Sequence, residues 1–174
     1  MKQLGKRICI IGSVASGKST LALFLAHAMH TDNVTHLDDL AHLPNTNWIR
    51  SHNNILIKTH NHLLQSDSWI IEGNYSICMP ERFAKATDII WLDFNRFHSL
   101  YRYIKRCITS DPSRPGKLAG SNKEFSMKMV KHILFTSPSN RIKYKNLINQ
   151  TRAKTVIIST SKMLNEFMKI IRCE

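Results

Sequence analysis

Cysteine is sparse in this chain of 174 residues: Cys9, Cys78, Cys107 and Cys173 are the whole complement, and no two of them stand in CxxC or metal-finger spacing. That scatter argues against a disulfide framework or a zinc ribbon and predicts free thiols in a reducing compartment, with Cys9 in the core. No run of about 18 apolar residues occurs, so no membrane span is expected. Met1 to Arg7 is not followed by a long apolar region of the kind a signal peptide needs, and a cytoplasmic protein is the default. Internal repeats and low-complexity tracts are also lacking. The nine histidines, among them His36, His42, His52, His60 and His62, lack metal-ligand spacing and are read as solvated or packing residues.

Acidic side chains are scarce too, with 12 Asp and Glu against 25 Lys and Arg. The shortage is local. Residues 96–154 hold 14 basic and 2 acidic side chains, which accounts for 12 of the 13 excess charges, whereas residues 1–95 hold 8 of each. A block so biased makes a positive field that must meet anions: nucleotide phosphates, a phosphorylated substrate or a nucleic acid backbone.

What is present is more specific. Gly12-Ser-Val-Ala-Ser-Gly-Lys-Ser-Thr20 fits G-x-x-x-x-G-K-[ST], between the apolar run Arg7–Ile11 and a helical-looking stretch ending at Met29. A strand delivers the chain to a turn whose glycines tolerate unusual dihedrals, so successive amides converge on anionic oxygens at a helix N-terminus. Lys18 then carries a mobile positive charge to the β- and γ-phosphates, and Ser19 is placed to ligate Mg²⁺. Gly12, Ser13, Ala15, Ser16, Gly17, Lys18, Ser19 and Thr20 are thus the candidate nucleotide-binding set, with ATP and Mg²⁺ as the cofactors.

Along the chain, strand and helix signals alternate, the pattern of a parallel sheet with helices on both faces. The strands are read at Arg7–Ile11, Val34–Leu37, Ser68–Glu72, Asp88–Leu92 and Thr155–Ile158. Helices are read at Gly17–Met29, Asn54–Leu64, Pro80–Ala84, Arg96 to about Thr109, and Ser161–Arg172. Two prolines and two glycines make Ser110–Gly120 a loop. Phe125, Met129 and Ile133 predict a helix that Pro138 interrupts, with another from Pro138 to about Asn149. A single domain over residues 1–174 is expected.

These features, together with Asp38 after the second strand and Trp69-Ile-Ile-Glu-Gly-Asn-Tyr75 after the third, resemble the adenylate-kinase-like P-loop kinases. The likeness is greatest to the DNA topology modulation proteins (FlaR-related), over most of residues 5–110. It implies a three-layer α/β/α P-loop NTPase fold, a five-stranded parallel sheet of order 2-3-1-4-5, and a basic helical lid at about 107–122. In that family the third-strand motif usually reads Asp-Gly-Asn-Tyr. Glu72 replaces the aspartate here, keeping the charge on a longer arm.

The resemblance also implies roles. Asp38 orients or deprotonates the acceptor hydroxyl, with Asp39 as the spare, and Glu72 joins Ser19 at Mg²⁺. Gly73 and Asn74 lie beside the substrate, Arg82 clamps it, and Arg50, Tyr75 and Trp48 line its pocket. Arg102 and Arg106, four apart on one helix face, would neutralise the transferred group, and Arg114 would swing in from the lid. The expected function is therefore ATP-dependent transfer of the γ-phosphoryl group to a small acceptor: a nucleotide, a nucleoside or another hydroxyl compound. The alternative is a nucleic-acid-associated ATP-binding protein that grips a phosphate backbone with residues 96–154. Phe97, Tyr101 and Tyr103 fit a buried helix face as well as a stacking platform. Oligomeric state and acceptor identity are not written in the residues.

Overall fold

The computed structural model describes residues 4–46, 48–109 and 125–172. Its centre is β1 (Arg7–Gly12), whose residues from Ile8 onward are all buried. So continuous an apolar run suits a parallel strand covered on both faces. β3 (Trp69–Glu72) and β4 (Asp88–Leu92) pair with it in parallel on either side, β2 (Val34–His36) extends beyond β3, and β5 (Lys154–Ile158) extends beyond β4. The order is β2-β3-β1-β4-β5, as expected.

Period-two alternation along β1 divides the core. Cys9 and Ile11 face a cluster with Leu56, Met79, Phe83, Tyr144 and Ile148. These come from α3 (Asn53–Leu63), α4 (Met79–Lys85) and α7 (Ser137–Asn149). Ile8 and Ile10 face the other way, onto Leu21, Leu25, Leu164 and Phe167 of α1 (Lys18–Ala28) and α8 (Ser161–Arg172). Each fully buried isoleucine contributes roughly 2–3 kcal/mol. Cys9 is buried in the core, as expected, and burial raises its thiol pKa. Among the described residues no helix is long and apolar enough to cross a membrane.

Three sequence readings need correction. The second strand stops at His36, and Leu37 opens a short α2 (Leu37–Ala41) that carries Asp38 and Asp39 in its first turn. Apolar periodicity over five residues is too short to reveal such a helix. The helix after the lid begins at Met127 rather than Phe125, as α6 (Met127–Lys131). Pro138 does not interrupt it. The chain passes through a π-helical turn (His132–Thr136) directly into α7, where Pro138 sits in the first turn and no helical N–H is required of it. Pro138 has no N–H to give the carbonyl of Leu134, four residues back, and Arg96 Nη1 donates to that oxygen instead, at 3.3 Å. Of the expected lid at 107–122, residues 107–109 close α5 (Arg96–Thr109), and the rest, with Arg114, lies outside the described residues.

His60 on α3 is fully buried, with Nδ1 3.0 Å from Asn61 Oδ1 and Nε2 lacking a partner. Burial lowers its pKa, and the Arg82 charge works in the same direction. The unfolded chain therefore takes up the proton first as pH falls below about 6.5, and stability declines with it. Thermal unfolding from pH 8 to pH 5 should show this acid-side loss in the native protein, and His60→Gln should reduce it. An unchanged slope in the variant would remove His60 as its source.

Candidate functional site

All five strands run the same way, so Gly12, His36, Glu72, Leu92 and Ile158 end at one edge of the sheet. The phosphate loop begins there. Ala15 holds φ 56° and Gly17 φ 96°, and left-handed residues set between right-handed ones turn successive amides inward as an anion nest. For alanine this conformation costs about 1 kcal/mol, a strain typical of functional loops. The first helical bond of α1 runs from Leu21 N–H to Gly17 O, which leaves the amides of Lys18, Ser19 and Thr20 at the open N-terminus. Ser16 Oγ is buried without a partner. Lys18 folds back on the loop, its Nζ donating to Gly12 O at 3.3 Å and Ser13 O at 3.0 Å.

Across from the loop, Ser19 Oγ donates to Glu72 Oε1 at 2.7 Å. The same oxygen lies 2.8 Å from His36 Nδ1. Register explains the second contact, because His36 and Glu72 are direct partners in the β2–β3 ladder. Glu72 is only 3% exposed, and burial alone would raise its pKa. The His36 hydrogen bond, the Lys18 charge and the Ser19 hydroxyl outweigh burial and hold it below the usual carboxylate range. His36 moves the opposite way, raised chiefly by its hydrogen bond to Glu72.

A second group adjoins the first. Tyr75 Oη donates to Asp38 Oδ1 at 2.6 Å, and burial followed by the Asp38 charge raises the phenol pKa. Residues 42–50 fold back through an antiparallel bridge between His42 and Arg50. This brings the Arg50 guanidinium 5.9 Å from the centre of the Tyr75 ring. The His42 ring meets Trp48 edge-on at 5.0 Å and Tyr75 at 6.5 Å. Trp48 holds φ 61°, strained for so bulky a side chain.

The remaining candidates occupy distinct places. Asn74 grips the loop, its Oδ1 accepting from Gly12 N–H at 3.0 Å and its Nδ2 donating to Gly12 O at 2.6 Å. Arg82 is fully buried and donates from Nη2 to Gly73 O at 2.7 Å, so it holds the backbone after β3 from inside the core. A Cβ added to Gly17 would stand 3.4 Å from Arg102 Nη2, which puts that guanidinium against the phosphate loop. Arg106 lies one turn on, over the Tyr103 ring at 5.2 Å.

No family profile and no curated protein matches this sequence. Solved structures do match in fold. Shikimate kinase from Acinetobacter baumannii, in complex with shikimate, aligns with a TM-score of 0.61 at 14% identity, covering 97% of this chain and 92% of its own. The fold is that of a P-loop kinase. A candidate kinase from Chloroflexus aurantiacus aligns with a TM-score of 0.49 at 18% identity, covering 98% of each chain.

Sequence reasoning missed His36 as a site residue, treating it as solvated or packing. A signal was available: His36 and Glu72 each end a strand, and adjacency of strands 2 and 3 sets them side by side. The donor set suits Mg²⁺, since Ser19 and Glu72 offer hard oxygens 2.7 Å apart at the loop. Among the described residues no group of three or more His, Cys, Asp and Glu side chains forms a metal cage. Mg²⁺ in phosphoryl-transfer sites usually takes one or two protein ligands plus phosphate oxygens and water.

Proposed function

We propose that this chain is an ATP- and Mg²⁺-dependent kinase that transfers the γ-phosphoryl group to a small hydroxyl acceptor. Within the P-loop kinases we place it nearest the DNA topology modulation type, on the strength of the Glu72-Gly-Asn-Tyr75 motif. The observation that carries the reading is the convergence of three groups from separate elements: the loop amides, the Lys18 ammonium, and the Ser19–Glu72 pair at 2.7 Å.

The roles follow from position. The loop amides and Lys18 hold the phosphates, and Arg102, against the loop, offsets charge that spreads over the transferred group, with Arg106 behind it. Ser19 and Glu72 would hold Mg²⁺, which neutralises phosphate charge when bound. Asp38 orients the acceptor hydroxyl and takes its proton as the oxygen bonds to γ-phosphorus and ADP departs. Tyr75 fixes the Asp38 carboxylate by donating to one of its oxygens. Arg50 and Trp48 line the acceptor side, and Arg82 acts through Gly73.

Acceptor-dependent ADP release across nucleotides, nucleosides and polyols, with shikimate included because the structural neighbour binds it, is the direct test. If none of them stimulates release above the ATP-only rate, kinase action on these classes is refuted. Once an acceptor is known, Asp38→Asn should lower turnover by about 10²-fold or more and leave ATP binding unchanged. Near-normal turnover in that variant would overturn the assignment of Asp38.

A further inference from the structure

Beyond β4 the chain runs Asp93-Phe-Asn-Arg96 into α5. Asn95 Oδ1 accepts from Phe97 N–H at 2.8 Å, an N-cap that starts the helix and leaves its N-terminus at the end of the sheet that carries the loop. Facing it are the π-helical turn and α7. Between them lies a cavity of about 220 Å³ that includes Gly12 and Ser13 in its lining, the two residues whose carbonyls hold Lys18. It is thus continuous with the lysine side of the phosphate loop and separate from the group around Asp38 and Tyr75.

The cavity is built for negative charge. Arg96 and Arg141 both line it, against a single carboxylate, Asp93. Arg141 Nη2 reaches Asp93 Oδ2 at 2.5 Å, so that carboxylate neutralises one arginine and leaves the other in excess. Arg96 is braced by its bond to Leu134 O, the carbonyl that Pro138 cannot serve. The α5 N-terminus adds partial positive charge. Ser99, one turn into α5, lines the same space, is 1% exposed, and has a hydroxyl with no hydrogen-bond partner. A buried hydroxyl left unsatisfied is costly, and a ligand oxygen would satisfy it. The volume falls below the 300–1,000 Å³ usual for drug-sized ligands, so the occupant is small.

We propose that this cavity receives the anionic end of the acceptor, a small hydroxyl compound carrying a carboxylate or phosphate group, held by Arg96, Ser99 and Arg141. The identification of the ligand as the acceptor rests on the kinase reading. Asp93 is the built-in competitor: an incoming anion takes its place on Arg141, which keeps affinity for a bare ion modest and demands the rest of the acceptor for tight binding.

The test titrates inorganic phosphate and, separately, acetate into the Lys18→Ala protein by calorimetry, with and without a second substitution. Lys18→Ala weakens phosphate binding at the loop, and the two ions distinguish a phosphorylated from a carboxylated ligand. Asp93→Asn frees Arg141 and should tighten binding of the preferred ion about 10-fold, whereas Ser99→Ala should weaken it several-fold. A gain of affinity cannot come from misfolding. If neither ion binds, or if binding ignores both substitutions, the anion pocket is overturned. ATP titrated into the unsubstituted protein separates the two ideas. ATP binding and turnover with no response at Asp93 or Ser99 sink the pocket alone, and the expected ion response without ATP binding sinks the kinase reading alone.

Discussion

Lys18→Ala is expected to abolish phosphoryl transfer, lowering kcat/KM for ADP release by about 10³-fold, while the protein stays folded. The ammonium is mobile and has only carbonyl partners in the loop, Gly12 O and Ser13 O. Losing two such neutral-acceptor hydrogen bonds costs about 1 kcal/mol each at most, because water replaces them. In the reaction the same ammonium meets phosphate oxygens that gain charge, inside a site from which water is excluded, where one well-placed donor has far greater leverage. The experiment pairs acceptor-dependent ADP release with thermal unfolding. A variant that keeps a tenth or more of native turnover, or that loses activity only by unfolding, would refute the phosphate role of Lys18.

Glu72→Gln carries the second large effect. The amide keeps the shape and can still accept from Ser19, but it removes the charge that the ion needs. The Mg²⁺ concentration for half-maximal rate should rise at least about 10-fold, with little change in ATP binding measured without Mg²⁺. Metal-free stability supplies an independent readout. The Glu72 carboxyl is held low, so its contribution is present above the ordinary carboxylate pKa and is lost as pH falls through the depressed value. His36 is raised, so its contribution is complete below about 6.5 and is lost as pH climbs through the higher folded value. Unfolding with chelator present should therefore show the pair stabilising at intermediate pH and fading on both flanks, and Glu72→Gln should flatten both. Unaltered Mg²⁺ dependence in the variant would remove Glu72 from the metal site.

Much of this was legible because the signals were local. The loop pattern, the strand before it and the helix after it lie within about two dozen residues, and the five strands announced themselves as short apolar runs. Pro138 misled for a local reason as well. Proline usually ends a helix by orphaning a carbonyl, and nothing near it in sequence reveals that Arg96, 42 positions earlier, fills the gap. α2 was hidden because five residues show too little periodicity, although Asp38 was still placed just beyond the second strand. Arg82 was found as a residue of interest, but its burial beneath Gly73 could not be read from a helix turn that looks exposed in isolation.

By itself the sequence determined the phosphate loop, the alternation of strands and helices, the carboxylates at two strand ends and the basic block of residues 96–154. These depend on backbone chemistry and side-chain type within short windows. Only the tertiary structure decided which groups meet: His36 with Glu72 across 36 residues, Tyr75 with Asp38 across 37, and Asn74 with Gly12 across 62. It alone also opened the cavity between α5 and α7. Such pairings follow from strand register and helix packing between distant segments, where a shift of one residue turns a side chain to the opposite face of the sheet.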